Sequence, residues 1–224
     1  MHRTPLPSPT FEFGPWRALI GERAWHTVTT DFGQVRNAPG HRLFTQGEPG
    51  PHAVVLIEGL AWVEQVTRHG RPSCYLRGPG DLLGESALFD APRTATVATL
   101  TACRLVRIPA ADLRRSGLEA SIAALLHERQ RIDQLMRQFE DPLTRLAVGV
   151  HPAVRVVDDA HRDFRATRIA LSSAKVSRWL GVRHAAAVRA RSRSEFTRNF
   201  ASHRGALEVL QRDWILRTAS LMCR

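Results

Sequence analysis

The stretch that decides the fold is residues 80–97, which read GDLLGESALFDAPRTATV. Gly84 can adopt backbone conformations that other residues avoid, and residues 85–88 can form one helical turn with free N–H groups. Arg93 and Thr94 follow, and together they offer an anion a planar guanidinium and a hydroxyl. Glu85 would repel an anion unless it accepts a hydrogen bond from a ligand hydroxyl. The combination suits a ribose phosphate.

Length and composition exclude several classes of protein. The 224 residues are enough for one large domain or two modest ones, and the apolar runs are too short to cross a bilayer. The first residues lack the apolar core of a signal peptide, so we expect a soluble, cytoplasmic protein with no membrane partner. The three cysteines and ten histidines are dispersed without metal-ligand spacing. We therefore predict no metal, no cofactor and no enzymatic activity.

The positive charge is concentrated in the last third of the chain. Residues 151–224 carry 15 Lys and Arg against 6 Asp and Glu, which accounts for +9 of the net +11. A basic segment of this kind is the electrostatic mark of a nucleic-acid partner. Double-stranded DNA is therefore the expected macromolecular ligand.

Short β-type runs separated by glycine turns extend from about residue 35 to residue 108. The runs are 41–45, 53–57, 60–66, 73–77, 94–99 and 103–108. This spacing predicts an all-β roll or barrel. Aromatic and aliphatic residues at helical intervals in residues 11–30 predict short helices packed on that roll.

A long helix is predicted from about residue 109 to residue 139, and it carries two heptad series. The first series is Leu118, Leu125, Ile132 and Phe139, and the second is Ile122, Arg129 and Met136. Such a seam favours a two-stranded coiled coil and therefore a homodimer. The alternative is an amphipathic helix that lies on the roll. Arg129 needs an acid, a ligand or solvent at the seam.

The basic end contains a helix-turn-helix pattern over residues 172–190. An apolar face of Val176, Trp179 and Leu180 precedes Gly181, and a second helix rich in Ala and Arg follows. Ser172 or Ser173 would cap the first helix and contact a phosphate. The other predicted DNA contacts are Lys175, Arg178, Arg191 and Arg193 towards the phosphates, with Arg183, His184 and Arg189 towards the groove. A hairpin at 153–157 and 164–170 precedes this unit, and 207–210 with 214–216 would form the wing.

These motifs resemble the Crp/Fnr superfamily of transcription regulators. The likeness lies in Gly84-Glu85 and Pro92-Arg93-Thr94-Ala95, in residues 40–48 and 56–59, and in the basic helix-turn-helix. The resemblance implies a cyclic nucleotide, with cAMP the first expectation, bound by Gly84, Glu85, Ser86, Arg93 and Thr94. It also implies base contacts from the long helix, near Arg129, Gln130 and Arg131. RNA polymerase is a further implied partner.

The predicted class is therefore α+β: a cyclic-nucleotide-binding β-roll at 1–117, a dimerisation helix at 118–140 and a winged helix-turn-helix at 141–224. The expected function is a homodimeric DNA-binding transcription regulator that responds to a small-molecule effector. The loop between Glu85 and Arg93 is about one residue shorter than the family pattern, and Gln130 and Arg131 replace the family's hydroxyl side chains. A regulator of the same architecture without nucleotide dependence is the alternative. A β-roll metal enzyme is a distant third hypothesis.

Overall fold

A computed structural model describes residues 15–66, 72–138, 167–169, 173–180, 200–203 and 206–209. Its helices are α1 (Pro15–Asp31), α2 (Ala110–Arg115), α3 (Glu119–Gln138) and α4 (Ser173–Leu180). Its strands are β1 (Gln34–Asn37), β2 (Arg42–Phe44), β3 (His52–Glu58), β4 (Ala61–Val66), β5 (Pro72–Arg77), β6 (Leu82–Leu83), β7 (Thr96–Thr99), β8 (Cys103–Pro109), β9 (Thr167–Ile169), β10 (Phe200–His203) and β11 (Ala206–Val209).

Strands β1 to β8 form two four-stranded antiparallel sheets in the described part of the chain. Their orders are β1-β8-β3-β6 and β2-β7-β4-β5. The six predicted β runs are confirmed to within two residues, whereas the short strands β1 and β6 were not predicted as separate elements. Side chains from both sheets, among them Leu56, Val63, Val97 and Leu105, form one core. The sheets therefore pack face to face, as sandwich-type sheets do.

A second core lies between the first sheet and the helices. Alternate residues of β3 point to opposite faces, so Val54 enters the core between the sheets while Val55 packs towards the helices. Trp16 of α1 and both Ile122 and Leu125 of α3 are fully buried in this second core. The predicted packing of N-terminal helices on the roll is confirmed, as one helix kinked at Gly21.

The predicted helix over residues 109–139 is two helices rather than one. Gly117 lies between α2 and α3 with φ +69°, a conformation that glycine adopts without the steric cost that a β-carbon imposes. The chain turns there, and α3 then packs against α1 and the first sheet. Arg114 of α2 donates a hydrogen bond to the Leu88 carbonyl at 2.8 Å, which joins α2 to the loop at 85–89.

The basic end is described in part. Helix α4 covers the predicted first helix of the helix-turn-helix pattern, and β9 lies within the predicted strand at 164–170. Strands β10, β11 and β9 form an antiparallel sheet in that order. Strand β11 overlaps the predicted wing strand at 207–210, and it pairs with β10 on one side and β9 on the other. The strands predicted at 153–157 and 214–216 lie outside the described residues.

Candidate functional site

The loop between β6 and β7, residues 84–95, contains the short helical turn predicted from the sequence, and we call this loop the cassette. Residues Glu85–Phe89 are a 3-10 helix, and Gly84 precedes it with φ 75° and ψ 27°. A β-carbon on Gly84 would meet Nη1 of Arg93 and the Phe44 ring. Glycine is therefore required here for its backbone conformation and for the close approach of Arg93.

Arg93 lies inside the roll and not at its surface, with only 4% of the residue exposed. Its Nη1 donates to the Gly84 carbonyl at 2.7 Å and its Nη2 to the His52 carbonyl at 2.6 Å. Its guanidinium also lies 4.0 Å from the centre of the Phe44 ring, a cation–π contact. Burial lowers the pKa of Arg93, and Glu85 opposes that shift. Arg93, the predicted phosphate-binding residue, therefore also joins the cassette to β2 and β3.

Arg129 of α3 reaches into the same loop. Its Nη1 lies 3.0 Å from Oε1 of Glu85, and its Nη2 lies 3.8 Å from Oδ1 of Asp81 and donates to the Leu82 carbonyl. Burial raises the pKa of the Asp81 carboxyl, while the nearby Arg77 and Arg129 lower it. The polar partner that the sequence analysis demanded for Arg129 is therefore a pair of carboxylates, of which Glu85 is the closer.

These groups line a cavity of about 290 Å³ between the cassette, the second sheet and α3. The predicted ligand contacts found in its lining are Gly84, Glu85, Ser86, Arg93, Thr94, Arg129 and Gln130. The side chain of Arg131 lies outside the described residues. The Ser86 hydroxyl is buried without a hydrogen-bond partner among the described residues. A buried unpaired hydroxyl fits a site completed by a polar ligand.

Sequence reasoning missed one wall of this cavity. Phe44, Tyr75 and Arg77 line it, and the last two come from β5. Their side chains alternate with the buried residues Cys74 and Leu76. This alternation along β5 is the sequence signal from which the cavity wall could have been predicted. An arginine on the inward face of a half-buried strand indicates a polar site. Burial, with a contribution from Arg129, lowers the pKa of Arg77 to about 10.

Helix α4 places two predicted DNA contacts against the roll. Nη1 of Arg178 lies 2.9 Å from both carboxylate oxygens of Glu64, and Nζ of Lys175 lies 5.7 Å from the centre of a Trp62 ring. Val176 between them is 1% exposed. The side chain of Ser173 and the whole of Ser172, Arg183, His184, Arg189, Arg191 and Arg193 lie outside the described residues.

Two searches of the described residues were negative. No group of three or more His, Cys, Asp or Glu in the described ranges could hold a metal ion. Among the helices that the structure describes, none combines the length and apolar character of a membrane span.

Comparison with known proteins matches residues 34–116 to the cyclic nucleotide-binding domain family. A CRP-like cAMP-activated global transcriptional regulator of Mycobacterium tuberculosis is 35% identical over 77 residues, which is 34% of this chain and 34% of that protein. The matched part thus spans about a third of the length of this curated relative.

Solved structures extend the likeness of fold. A CRP/FNR family transcriptional regulator of Thermus thermophilus matches with a TM-score of 0.60 and 21% identity, over 84% of this chain and 98% of that one. A CRP family regulator of the same organism matches with a TM-score of 0.61 and 18% identity, over 83% and 96%.

Residues 34–116 thus match a cyclic nucleotide-binding domain, and they comprise the two sheets and the cassette between β6 and β7. In fold, the chain is similar to transcriptional regulators of the CRP/FNR family.

Proposed function

We propose that the chain is a homodimeric DNA-binding transcription regulator whose roll binds a cyclic nucleotide and whose basic end binds double-stranded DNA. RNA polymerase is the proposed partner at the promoter. The observation that carries the ligand site is the convergence of the cassette and α3 on one cavity. Three arginines, Arg77, Arg93 and Arg129, line the cavity together with one carboxylate, that of Glu85, so the cavity favours an anionic ligand.

Each part of a nucleotide has a proposed partner in this cavity. The phosphate lies against Thr94, the Ser86 hydroxyl and the free N–H groups that begin the 3-10 turn. Glu85 accepts the ribose hydroxyl. These contacts are common to cyclic AMP and cyclic GMP, so cyclic AMP, the first expectation from sequence, is not favoured by the cassette itself.

A titration with a fluorescent cyclic nucleotide tests this site. Ser86→Ala and Thr94→Val each remove one hydroxyl without touching Arg93, which has structural bonds of its own. We expect each change to weaken binding about tenfold, the equivalent of about 1.4 kcal/mol. Thr27→Val, on the exposed face of α1, is the matched control. Unchanged affinity in both cavity variants would remove the cassette from the ligand site.

The dimer proposal depends on the C-terminal part of α3. Ile122 and Leu125 of the heptad series are fully buried within the chain itself, and Arg129 is paired with Glu85. The first part of the predicted seam therefore packs on the roll, as expected from the alternative of an amphipathic helix that lies on the roll. The side chains of Ile132 and Met136 and the whole of Phe139 lie outside the described residues, and they are the proposed contacts with a second copy.

A regulator without nucleotide dependence is the second candidate, and one observation favours it. Arg129 already holds the Glu85 carboxylate that a ribose hydroxyl needs, and Arg93 already bonds two main-chain carbonyls. A cassette whose polar groups are already bonded within the chain gains less from binding a ligand. DNA affinity that does not change when nucleotide is added distinguishes this candidate from the first.

A further inference from the structure

Arg129 lies between two acidic residues and is closer to one of them than to the other. Its Nη1 lies 3.0 Å from Oε1 of Glu85, whereas its Nη2 lies 3.8 Å from Oδ1 of Asp81. The same Nη2 donates to the carbonyl of Leu82, the residue next to Asp81. The guanidinium therefore bonds Glu85 with one arm and already places its other arm beside Asp81.

Asp81 has a carboxylate oxygen that can accept a closer partner. Its Oδ2 accepts the main-chain N–H of Gly78 at 3.0 Å, while its Oδ1 is buried without a hydrogen-bond partner among the described residues. Only 1% of Asp81 is exposed, and a buried acceptor that lacks a donor costs stability. Arg129 needs to move by about 1 Å to give this oxygen a charge-assisted hydrogen bond.

A ligand in the cavity changes the position of Glu85 but not that of Asp81. Glu85 and Arg129 both line the cavity, so a ligand hydroxyl that donates to Glu85 competes with Arg129 for the carboxylate. Both side chains of this pair are 15% exposed, and an arginine that loses its acid at such a site becomes a costly unpaired charge. Asp81 is not among the described residues of the lining, so its free oxygen stays available to Arg129.

We propose that Asp81 is a positioning residue for ligand binding, which takes over Arg129 when a ligand engages Glu85. This inference rests on the proposed nucleotide site and adds the residue that offsets the cost of opening the ion pair. Arg77 also acts on the charge of Asp81, but it donates its Nη1 to the Leu76 carbonyl at 3.0 Å. Arg129 is therefore the cation that changes partner.

A double-mutant cycle on the ligand-free full chain tests this exchange without any nucleotide. Glu85→Gln removes the charge that now holds Arg129, so Arg129 should turn to Asp81. Asp81→Asn keeps the shape of the side chain without its charge, and it should be more damaging in the Glu85→Gln protein than in the unaltered one. We expect the unfolding equilibrium constant of the double variant to exceed the value for independent effects by about fivefold or more. Asp31→Asn, at the exposed end of α1, is the matched control and should be additive with Glu85→Gln.

Titration with a fluorescent cyclic nucleotide tests the consequence for binding. Asp81→Asn should weaken binding by the otherwise unaltered protein about fivefold or more, because Arg129 then has no second acid. The same change in an Arg129→Met protein should alter the affinity by less than about twofold, because no cation has to leave Glu85. A merely structural role of Asp81 would weaken binding equally in both proteins.

The outcomes separate the role of Asp81 from the nucleotide site. Additive unfolding effects of Glu85→Gln and Asp81→Asn overturn the exchange, whether or not a nucleotide binds. An Asp81→Asn variant that binds as tightly as the unaltered protein, or that loses the same affinity in the Arg129→Met background, contradicts the role in ligand binding. Non-additive unfolding without saturable nucleotide binding supports the exchange between the two acids and overturns the proposed nucleotide site.

Discussion

Arg93 joins the cassette to the rest of the roll, whatever ligand the cavity takes. Its two hydrogen bonds satisfy the carbonyls of Gly84 and His52, and its charge rests on the Phe44 ring. A main-chain carbonyl that is buried without a donor costs stability. The residue that the family resemblance assigns to ligand binding is therefore also a structural residue of this chain.

Replacing Arg93 by Ala should destabilise the protein even without nucleotide. The two carbonyls lose their donors, so we expect the free energy of unfolding to fall by about 2 kcal/mol or more. Urea unfolding of the ligand-free protein measures the change. Arg36→Ala, on an exposed part of β1, should alter it by less than about 0.5 kcal/mol. A midpoint equal to that of the unaltered protein would contradict the structural role.

The thiol of Cys74 should be unreactive in the folded protein. Cys74 is 5% exposed, and burial with a contribution from Glu64 raises its pKa to about 12. Only the thiolate reacts with disulfide reagents, so at pH 8 almost no Cys74 is in the reactive form. In a Cys223→Ser variant, Ellman's reagent should label neither Cys74 nor the buried Cys103 until denaturant is added. Fast labelling of either thiol before unfolding would refute this burial.

Helix α3 contacts both the core beneath the first sheet and the cassette. Its N-terminal half completes the core beneath the first sheet through Ile122 and Leu125, and Arg129 one turn later grips Glu85 of the cassette. A ligand that needs Glu85 must therefore compete with α3 for it. Ligand binding in the cavity is therefore directly coupled to α3, the helix that carries the proposed dimer seam.

A double-mutant cycle on Glu85→Gln and Arg129→Met measures that connection. Both side chains are 15% exposed, and residues in direct ionic contact usually couple by about 0.5–3 kcal/mol. We expect a coupling free energy of about 1 kcal/mol or more in unfolding experiments. The exposed pair Arg17 and Glu22 of α1, treated in the same way, should show a weaker coupling, because solvent screens the two charges. Additive effects at Glu85 and Arg129 would mean that the ion pair does not join α3 to the cassette.

The sequence indicated the strands and the cassette because local patterns determine them. Gly84 and the short apolar runs of β3 and β4 between turns are visible without any partner element. The domain boundary predicted between residues 117 and 118 coincides with the break at Gly117, but residues 109–139 were predicted to form one helix across it. The inward direction of Arg77 was missed as well, because which face of β5 meets the cavity depends on pairing across the sheet.

The contact between α4 and the roll connects the two ends of the chain. Arg178 and Lys175 were predicted to face DNA phosphates, yet they bind Glu64 and lie over Trp62 in this structure. In this arrangement the ion pair with Glu64 occupies Nη1 of Arg178. We propose that Glu64 competes with a DNA phosphate for Arg178.

Changing Glu64 to Gln should raise the affinity for DNA in the absence of nucleotide. An ion pair that is partly exposed contributes up to about 1 kcal/mol, so we expect an increase of about two- to fivefold. Fluorescence anisotropy with a duplex selected from a random pool measures it at fixed salt. Glu58→Gln removes a carboxylate that pairs with Arg104, away from α4, and should have no effect. An unchanged or lower affinity for Glu64→Gln would show that the contact does not compete with DNA.

The most direct test of the proposed function is the DNA affinity of the full chain with and without cyclic nucleotide. The measurement uses the selected duplex at one salt concentration, with cyclic AMP and cyclic GMP added in turn, because salt alone changes such affinities strongly. We predict that a nucleotide bound in the cavity changes the dissociation constant for DNA by about tenfold or more, a coupling of about 1.4 kcal/mol. The same dissociation constant in all three conditions would contradict a nucleotide-controlled regulator.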